Sequence, residues 1–96
     1  MNINQLKYFI AVAESQSFTK AAHQYYISQT AITQQIHALE EQLGVSLIDR
    51  TTRPISLTSA GNVFLTEAKL IVNRMNTAVW RKDDQSPALR QFIERI

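Results

Sequence analysis

The stretch from Ser28 to Gly44 constrains the fold more than any other, because it carries a start signal, a stop signal and two chemically different faces. Ser28 can accept a hydrogen bond from a free amide of a first helical turn, and Gly44 can take the left-handed conformation that closes a last one. Between them Ile32, Ile36, Leu39 and Leu43 step by four, three and four. At about 100° per residue these form a single apolar stripe, which predicts one helix turned to a core. Thr30, Thr33, Gln34, His37 and Glu41 lie about half a turn away, with Gln29 at the exposed amino end. Near that end the outer face is almost all uncharged amide and hydroxyl. Solvated helix faces are usually rich in Lys and Glu, whereas amides and hydroxyls pair with base edges in a major groove. Gln and Thr also occupy ordinary surfaces, so this helix alone leaves both readings open.

With 96 residues, 45% of them hydrophobic, the chain has room for one small core and an appendage. There is no cysteine, so disulfides and thiolate zinc sites are excluded and a reducing, cytoplasmic location is expected. No apolar run approaches the ~20 residues that span a bilayer, and the amino terminus lacks a basic segment followed by an apolar one. No membrane partner is expected. The net charge of +2 does not identify a nucleic-acid binder. Up to residue 58, Lys7, Lys20, Arg50 and Arg53 cancel Glu14, Glu40, Glu41 and Asp49, so any attraction to phosphate depends on placement.

Asn2 or Asn4 can cap a first helix on which Ile3, Leu6, Phe9, Ile10 and Ala13 share a face, with Asn4, Gln5, Lys7 and Glu14 mostly off it. Ser17 can cap a second helix to about Tyr25, with Phe18, Ala21, Ala22 and Tyr25 inward. Tyr26-Ile27-Ser28 then turns tightly into the third helix, with Ile27 as the plug. Two short helices joined in this way make a helix-turn-helix, a pair that also occurs without any nucleic-acid role. After Gly44, residues 45–50 and 55–57 are β-prone runs separated by Thr51-Thr52-Arg53-Pro54, which predicts a small hairpin, or wing. Arg50 and Arg53 at or near its tip are placed to reach backbone phosphate or the minor groove. A solvated hairpin with two incidental arginines is the competing reading.

From Thr58 the chain runs to about Lys82 without proline, with Gly61 in the first turn where it costs least. Phe64, Ala68, Ile71, Met75 and Ala78 alternate steps of four and three, the spacing of a helix–helix seam, and Leu65, Val72 and Val79 flank it. Val63 and Leu70 widen the apolar surface. A helix of about 25 residues is ~38 Å long, too long for so small a domain to cover. A second copy is therefore expected on the seam, in preference to burial within the same chain. Asp83-Asp84-Gln85 breaks the pattern, and Ser86-Pro87 can start a short helix with Leu89, Phe92, Ile93 and Ile96 on one side, packing on Trp80. The expected organisation is a mainly α chain: three helices and a two-stranded wing over 1–58, a linker and dimerisation helix over 59–83, and a short amphipathic helix over 84–96.

This order, and the residues in it, resemble the amino-terminal winged helix-turn-helix of LysR-type transcriptional regulators. The resemblance is carried by Leu6-Lys7-Tyr8-Phe9, by Ser17-Phe18-Thr19-Lys20-Ala21-Ala22, by Ser28 to Ile36 and by Leu39-Glu40-Glu41-Gln42-Leu43-Gly44-Val45. It continues through Leu47-Ile48-Asp49-Arg50, Arg53 and Leu57-Thr58-Ser59-Ala60-Gly61, and covers residues 1 to about 82. It implies that the third helix enters a major groove, that the wing arginine reaches a minor groove, and that the long helix pairs antiparallel with its copy. By position, Gln29, Thr30, Thr33 and Gln34 would contact bases or phosphates, Arg50 and Arg53 the backbone and groove, and His37 a phosphate. Gln34 stands where the family commonly has arginine, which removes one charge-assisted contact and favours adenine over guanine if it touches a base. Tyr25 replaces a usual leucine and Ile48 a usual phenylalanine.

The family normally continues into a ligand-sensing domain, and this sequence contains none, so no effector pocket is expected. Residues 86–93 are similar to the last helix of that domain, and equally to an unrelated amphipathic tail. The function implied is sequence-specific binding of double-stranded DNA as a homodimer, regulating transcription without a ligand-sensing domain. The alternative is a short regulator that pairs with a full-length relative. RNA polymerase is a further partner on either reading. An enzyme is not expected: His23 and His37 have no metal-ligand spacing, and there is no phosphate loop or nucleophile motif, hence no catalytic residue, metal or cofactor.

Overall fold

The computed structural model describes residues 1–80, with side chains through Arg74. Each of the first three helices begins at a side-chain cap. Asn2 accepts from the Gln5 amide at 2.9 Å while the Gln5 side chain accepts from the Asn2 amide at 3.2 Å, a reciprocal pair that opens α1 (Ile3–Ser15). Ser17 accepts from the Lys20 amide to open α2 (Phe18–Gln24), and Ser28 from the Ala31 amide to open α3 (Gln29–Leu43). Gly44 closes α3 with φ +72°, a conformation that costs a side chain and not a glycine. Two strands, β1 (Ile48–Asp49) and β2 (Ser56–Leu57), pair antiparallel with Ile48 opposite Leu57, and α4 (Ser59–Trp80) follows. The expected mainly α winged helix-turn-helix is what forms.

Helix α1 is the centre of the core and touches α2, α3 and α4. Its burial is consequently wider than one stripe. Leu6 and Phe9 are buried as expected, but so are Ala11 and Val12, and Gln5 is drawn inward by its cap, while Ile10 and Ala13 are only half-buried. Ala21 and Ala22 of α2 and Ile32, Ile36 and Leu39 of α3 complete the contact. Tyr25 sets its ring edge-on to Tyr8 at 5.1 Å. Burial raises its phenol above the usual 10.0, with Tyr8 and Glu14 adding to the effect.

The strands are shorter than the β-prone runs. The Leu47 and Ile48 amides donate to the Glu40 carboxylate, so they are not available to a longer ladder. Thr58 closes the wing onto the last helix: its amide donates to the Leu47 carbonyl at 3.0 Å and its hydroxyl to the Ser46 carbonyl at 2.6 Å. Gly61 lies directly over that Leu47 carbonyl. Its place in the first turn of α4 is thus set by contact with the wing backbone.

The first half of α4 belongs to the core, and this corrects the expected seam. Ala68 is fully buried, Val72 is 8% exposed, and the Phe64 ring packs at 5.5 Å on Phe9 of α1. Ile71 is partly buried against the same cluster. Phe64 and Ala68 therefore face the chain's own α1, and the core runs through the expected boundary at residue 58. Among the described residues of α4, the large apolar side chains left exposed are Val63 at 71% and Leu70 at 54%, one heptad apart on the opposite side. A seven-residue repeat of this kind carries two adjacent stripes, and only tertiary packing decides which is internal. The side chains of Met75, Ala78, Val79 and Trp80, the expected helix end near 83 and the expected helix at 84–96 lie outside the described residues.

Candidate nucleic-acid interface

Burying Ile32, Ile36 and Leu39 turns the opposite face of α3 outward. Gln29, Thr30, Gln34, His37 and Glu41 are exposed there, and Thr33 is half-buried at its margin. The first turn contains no acidic residue, so the outward amide and hydroxyl groups near the positive end of the helix dipole meet no opposing charge of the helix.

Two of these side chains are already oriented. The Thr19 hydroxyl of α2 donates to Gln29 Oε1 at 3.0 Å, which joins the two helices at the turn and leaves the Gln29 amide nitrogen to donate elsewhere. The Thr33 hydroxyl donates back to the Gln29 carbonyl at 2.8 Å, so it presents acceptor capacity only. Thr30 and Gln34 make no side-chain hydrogen bond among the described residues and are open to a partner. His37, with 59% of its side chain exposed, has Nδ1 3.9 Å from Glu40 Oε1.

The two wing arginines differ. Arg53 is exposed, and among the described residues its guanidinium reaches only turn carbonyls, those of Arg50 at 3.3 Å and Thr52 at 3.5 Å. Arg50 is folded inward. Its Nη2 is 3.5 Å from Glu40 Oε1, its Nη1 the same distance from the Ile48 carbonyl, and its guanidinium lies 5.3 Å from the centre of the Phe18 ring. The structure thus brings Gln29, Thr30, Thr33, Gln34 and His37 together on α3, sets Arg53 on the wing and draws Arg50 toward the base of the wing.

Glu40 was not among the expected site residues. It is 8% exposed, with Oε2 accepting from the Leu47 amide at 2.7 Å, the Ile48 amide at 3.2 Å and the Ser46 hydroxyl at 3.4 Å. The signal was present in the spacing, since Glu40 continues the buried Ile32, Ile36 step by another four residues. On the wing, the Thr51 amide and hydroxyl both donate to Asp49, which holds that carboxyl below its usual 3.8. Among the described residues no group of three or more His, Cys, Asp or Glu side chains is placed to hold a metal, and no helix is long and apolar enough to cross a membrane.

The family model described as "Bacterial regulatory helix-turn-helix protein, lysR family" matches residues 3–62. The HTH-type transcriptional regulator TfdT of Cupriavidus pinatubonensis (strain JMP 134 / LMG 1197) is 50% identical over 72 residues, 75% of this chain and 32% of TfdT. ClcR of Pseudomonas putida, also an HTH-type transcriptional regulator, is 49% identical over 73 residues, 76% of this chain and 25% of its own length. The chain thus spans about a quarter to a third of these relatives. Among solved structures, the BenM_DBD/benA site 1 DNA complex is similar with a TM-score of 0.80 and 40% identity, over 82% of this chain and 89% of that one. The CbnR_DBD-DNA complex gives 0.76 and 47%, over 80% and 88%.

Proposed function

The chain belongs to the lysR family of bacterial regulatory helix-turn-helix proteins, and from that premise we propose that it binds double-stranded DNA sequence-specifically, as a homodimer, and regulates transcription. The observation that carries the proposal is the outward face of α3: capped at both ends, anchored by Ile32, Ile36 and Leu39, and bearing exposed uncharged donors and acceptors. On this reading α3 lies in a major groove with Gln29, Thr30 and Gln34 toward base edges, Thr33 and His37 beside them, and Arg53 carried by the wing to the backbone or minor groove. The likeness to two DNA-bound regulators supports that placement.

Dimerisation is proposed through the outer side of α4. Val63 and Leu70 form an exposed apolar line that no described part of the chain covers. Two copies joined there would read an inverted repeat with half-sites one helical turn or a multiple apart, since that spacing returns both α3 helices to the same side of the duplex.

Selection from a random duplex pool, followed by gel shift at two salt concentrations, tests the proposal. Recovery of an inverted repeat with fixed half-site spacing is expected. No enrichment over competitor DNA would refute DNA binding, and enrichment of isolated half-sites would refute the paired arrangement. Co-purification from the native cell distinguishes a second copy from a longer relative on the same face.

A further inference from the structure

We infer that Glu40 is a positioning residue that fixes the wing to α3, and that Arg50 is the inner half of this clamp rather than a DNA contact; the inference rests on the DNA-binding reading above. The ladder of the wing has two residue pairs, Ile48 with Leu57 and Asp49 with Ser56. A hairpin that short does not orient itself. Its direction has to come from what holds it.

Among the described residues, Glu40 makes every side-chain hydrogen bond between α3 and the wing. One oxygen takes the amides that lead into β1, and the other meets Arg50. The same helix that would read bases thereby sets where Arg53 stands. The remaining ties, from Gln16 to the Ile55 carbonyl at 3.3 Å and from Thr58 to Ser46 and Leu47, hold the wing to the end of α1 and to the start of α4.

Arg50 is suited to the clamp and not to a phosphate. Its side chain is 34% exposed, its charge faces a carboxylate that is 10% exposed, and the Phe18 ring covers one face. A phosphate would have to displace a nearly desolvated partner, which would leave Glu40 buried without its counter-charge. Among the described residues Arg53 faces only neutral carbonyls and loses nothing comparable on binding phosphate.

The experiment measures the slope of log affinity against log salt for a duplex recovered by the wild-type chain. Arg53→Gln is expected to lower the slope by about 1.8 for the two-copy complex, one phosphate contact from each copy. Arg50→Gln is expected to lower it by less than half as much. In a Glu40→Ala background Arg53→Gln should no longer change it, because the wing is no longer delivered. Glu40→Gln keeps an amide oxygen for the Leu47 and Ile48 amides but frees Arg50, so the slope should rise above wild type.

An Arg50→Gln effect equal to that of Arg53→Gln, or an undiminished Arg53→Gln effect in Glu40→Ala, overturns the inference. Should Glu40→Ala fail to fold, Arg50→Gln and Glu40→Gln decide, and an unchanged slope in Glu40→Gln overturns it. Failure of the DNA-binding reading is seen separately, as a pool that yields no duplex. In that case hydrogen exchange decides the clamp: Leu47 and Ile48 amides should exchange faster in Glu40→Gln than in Arg53→Gln, and equal protection overturns it.

Discussion

Gly61→Ala should destabilise the chain although it replaces glycine by the best helix former. In an ordinary helix that change stabilises by about 1 kcal/mol. Here the added Cβ would stand 2.1 Å from the Leu47 carbonyl oxygen, 3.1 Å from the Leu47 carbonyl carbon and 3.3 Å from Leu57 Cβ. The obstacle is backbone, so no side chain can swing away, and α4 or the approach to β1 has to retreat by roughly 1 Å. That retreat lengthens the bonds from the Thr58 amide to Leu47 and from the Thr58 hydroxyl to Ser46. Overpacking of this kind costs about 1–3 kcal/mol and two weakened hydrogen bonds about 1 kcal/mol each, so the net is about 2–4 kcal/mol against the protein. For a domain of this size that lowers Tm by roughly 10–30 °C. Thermal melts followed by circular dichroism, at fixed protein concentration because association adds to stability, measure it with Ser59→Ala as the propensity control. A Tm equal to or above wild type would refute the close-contact account, since helix propensity alone predicts that sign.

The other glycine fails for a different reason. Gly44 has nothing within 4 Å of an added Cβ but a φ of +72°, so Gly44→Ala should cost about 1 kcal/mol in urea unfolding and Gly44→Asn less, because asparagine tolerates the left-handed region. Leu70→Glu sits on an exposed position and should leave the urea midpoint of dilute protein within about 0.5 kcal/mol of wild type, while sedimentation velocity shows a shift from two copies to one. Asp49 provides a pH prediction: its folded value is depressed by Thr51, so its contribution is present above the unfolded value near 3.8 and is lost as pH falls through the lower folded value. The Thr51 amide resonance should titrate with a midpoint below 3.8, and Asp49→Asn should abolish that acidic transition alone.

What could be read from the residues was local. The caps at Ser17, Ser28 and Gly44 and the stripe of Ile32, Ile36 and Leu39 follow from rules that operate within one helical turn, and the structure places them accordingly. What could not be read depended on neighbours distant in sequence. Ala11 and Val12 are buried because α1 is enclosed by three helices, and one amphipathic stripe describes a helix with a single neighbour. Ala68 and Phe64 fit a seam toward another copy as well as one toward α1, and tertiary packing selects the second. The spacing of Glu40 places it on the buried side of α3, but its partners, the Leu47 and Ile48 amides, come from the wing and could not be read from the helix.

These distant contacts bear directly on how a weakly charged chain can recognise DNA. On the DNA-binding proposal, Arg50 is neutralised by Glu40, and Lys69 of α4 is paired with Glu14 at 2.9 Å. Among residues 1–58, Lys7, Lys20 and Arg53 remain without an ion-pair partner in the described structure. Three cations release few counterions, so residues 1–58 of one copy gain little non-specific affinity. Discrimination then rests on the neutral hydrogen bonds of Gln29, Thr30 and Gln34, which act over less than an ångström of error and are lost if α3 and the wing move independently. A buried carboxylate spanning α3 and β1, and a glycine that lets α4 sit on the Leu47 carbonyl, remove that independence. Rigidity does not supply affinity, however, and on the dimer proposal a second copy would: joining two weak modules through α4 would make the second encounter intramolecular, multiplying binding without another charge on either.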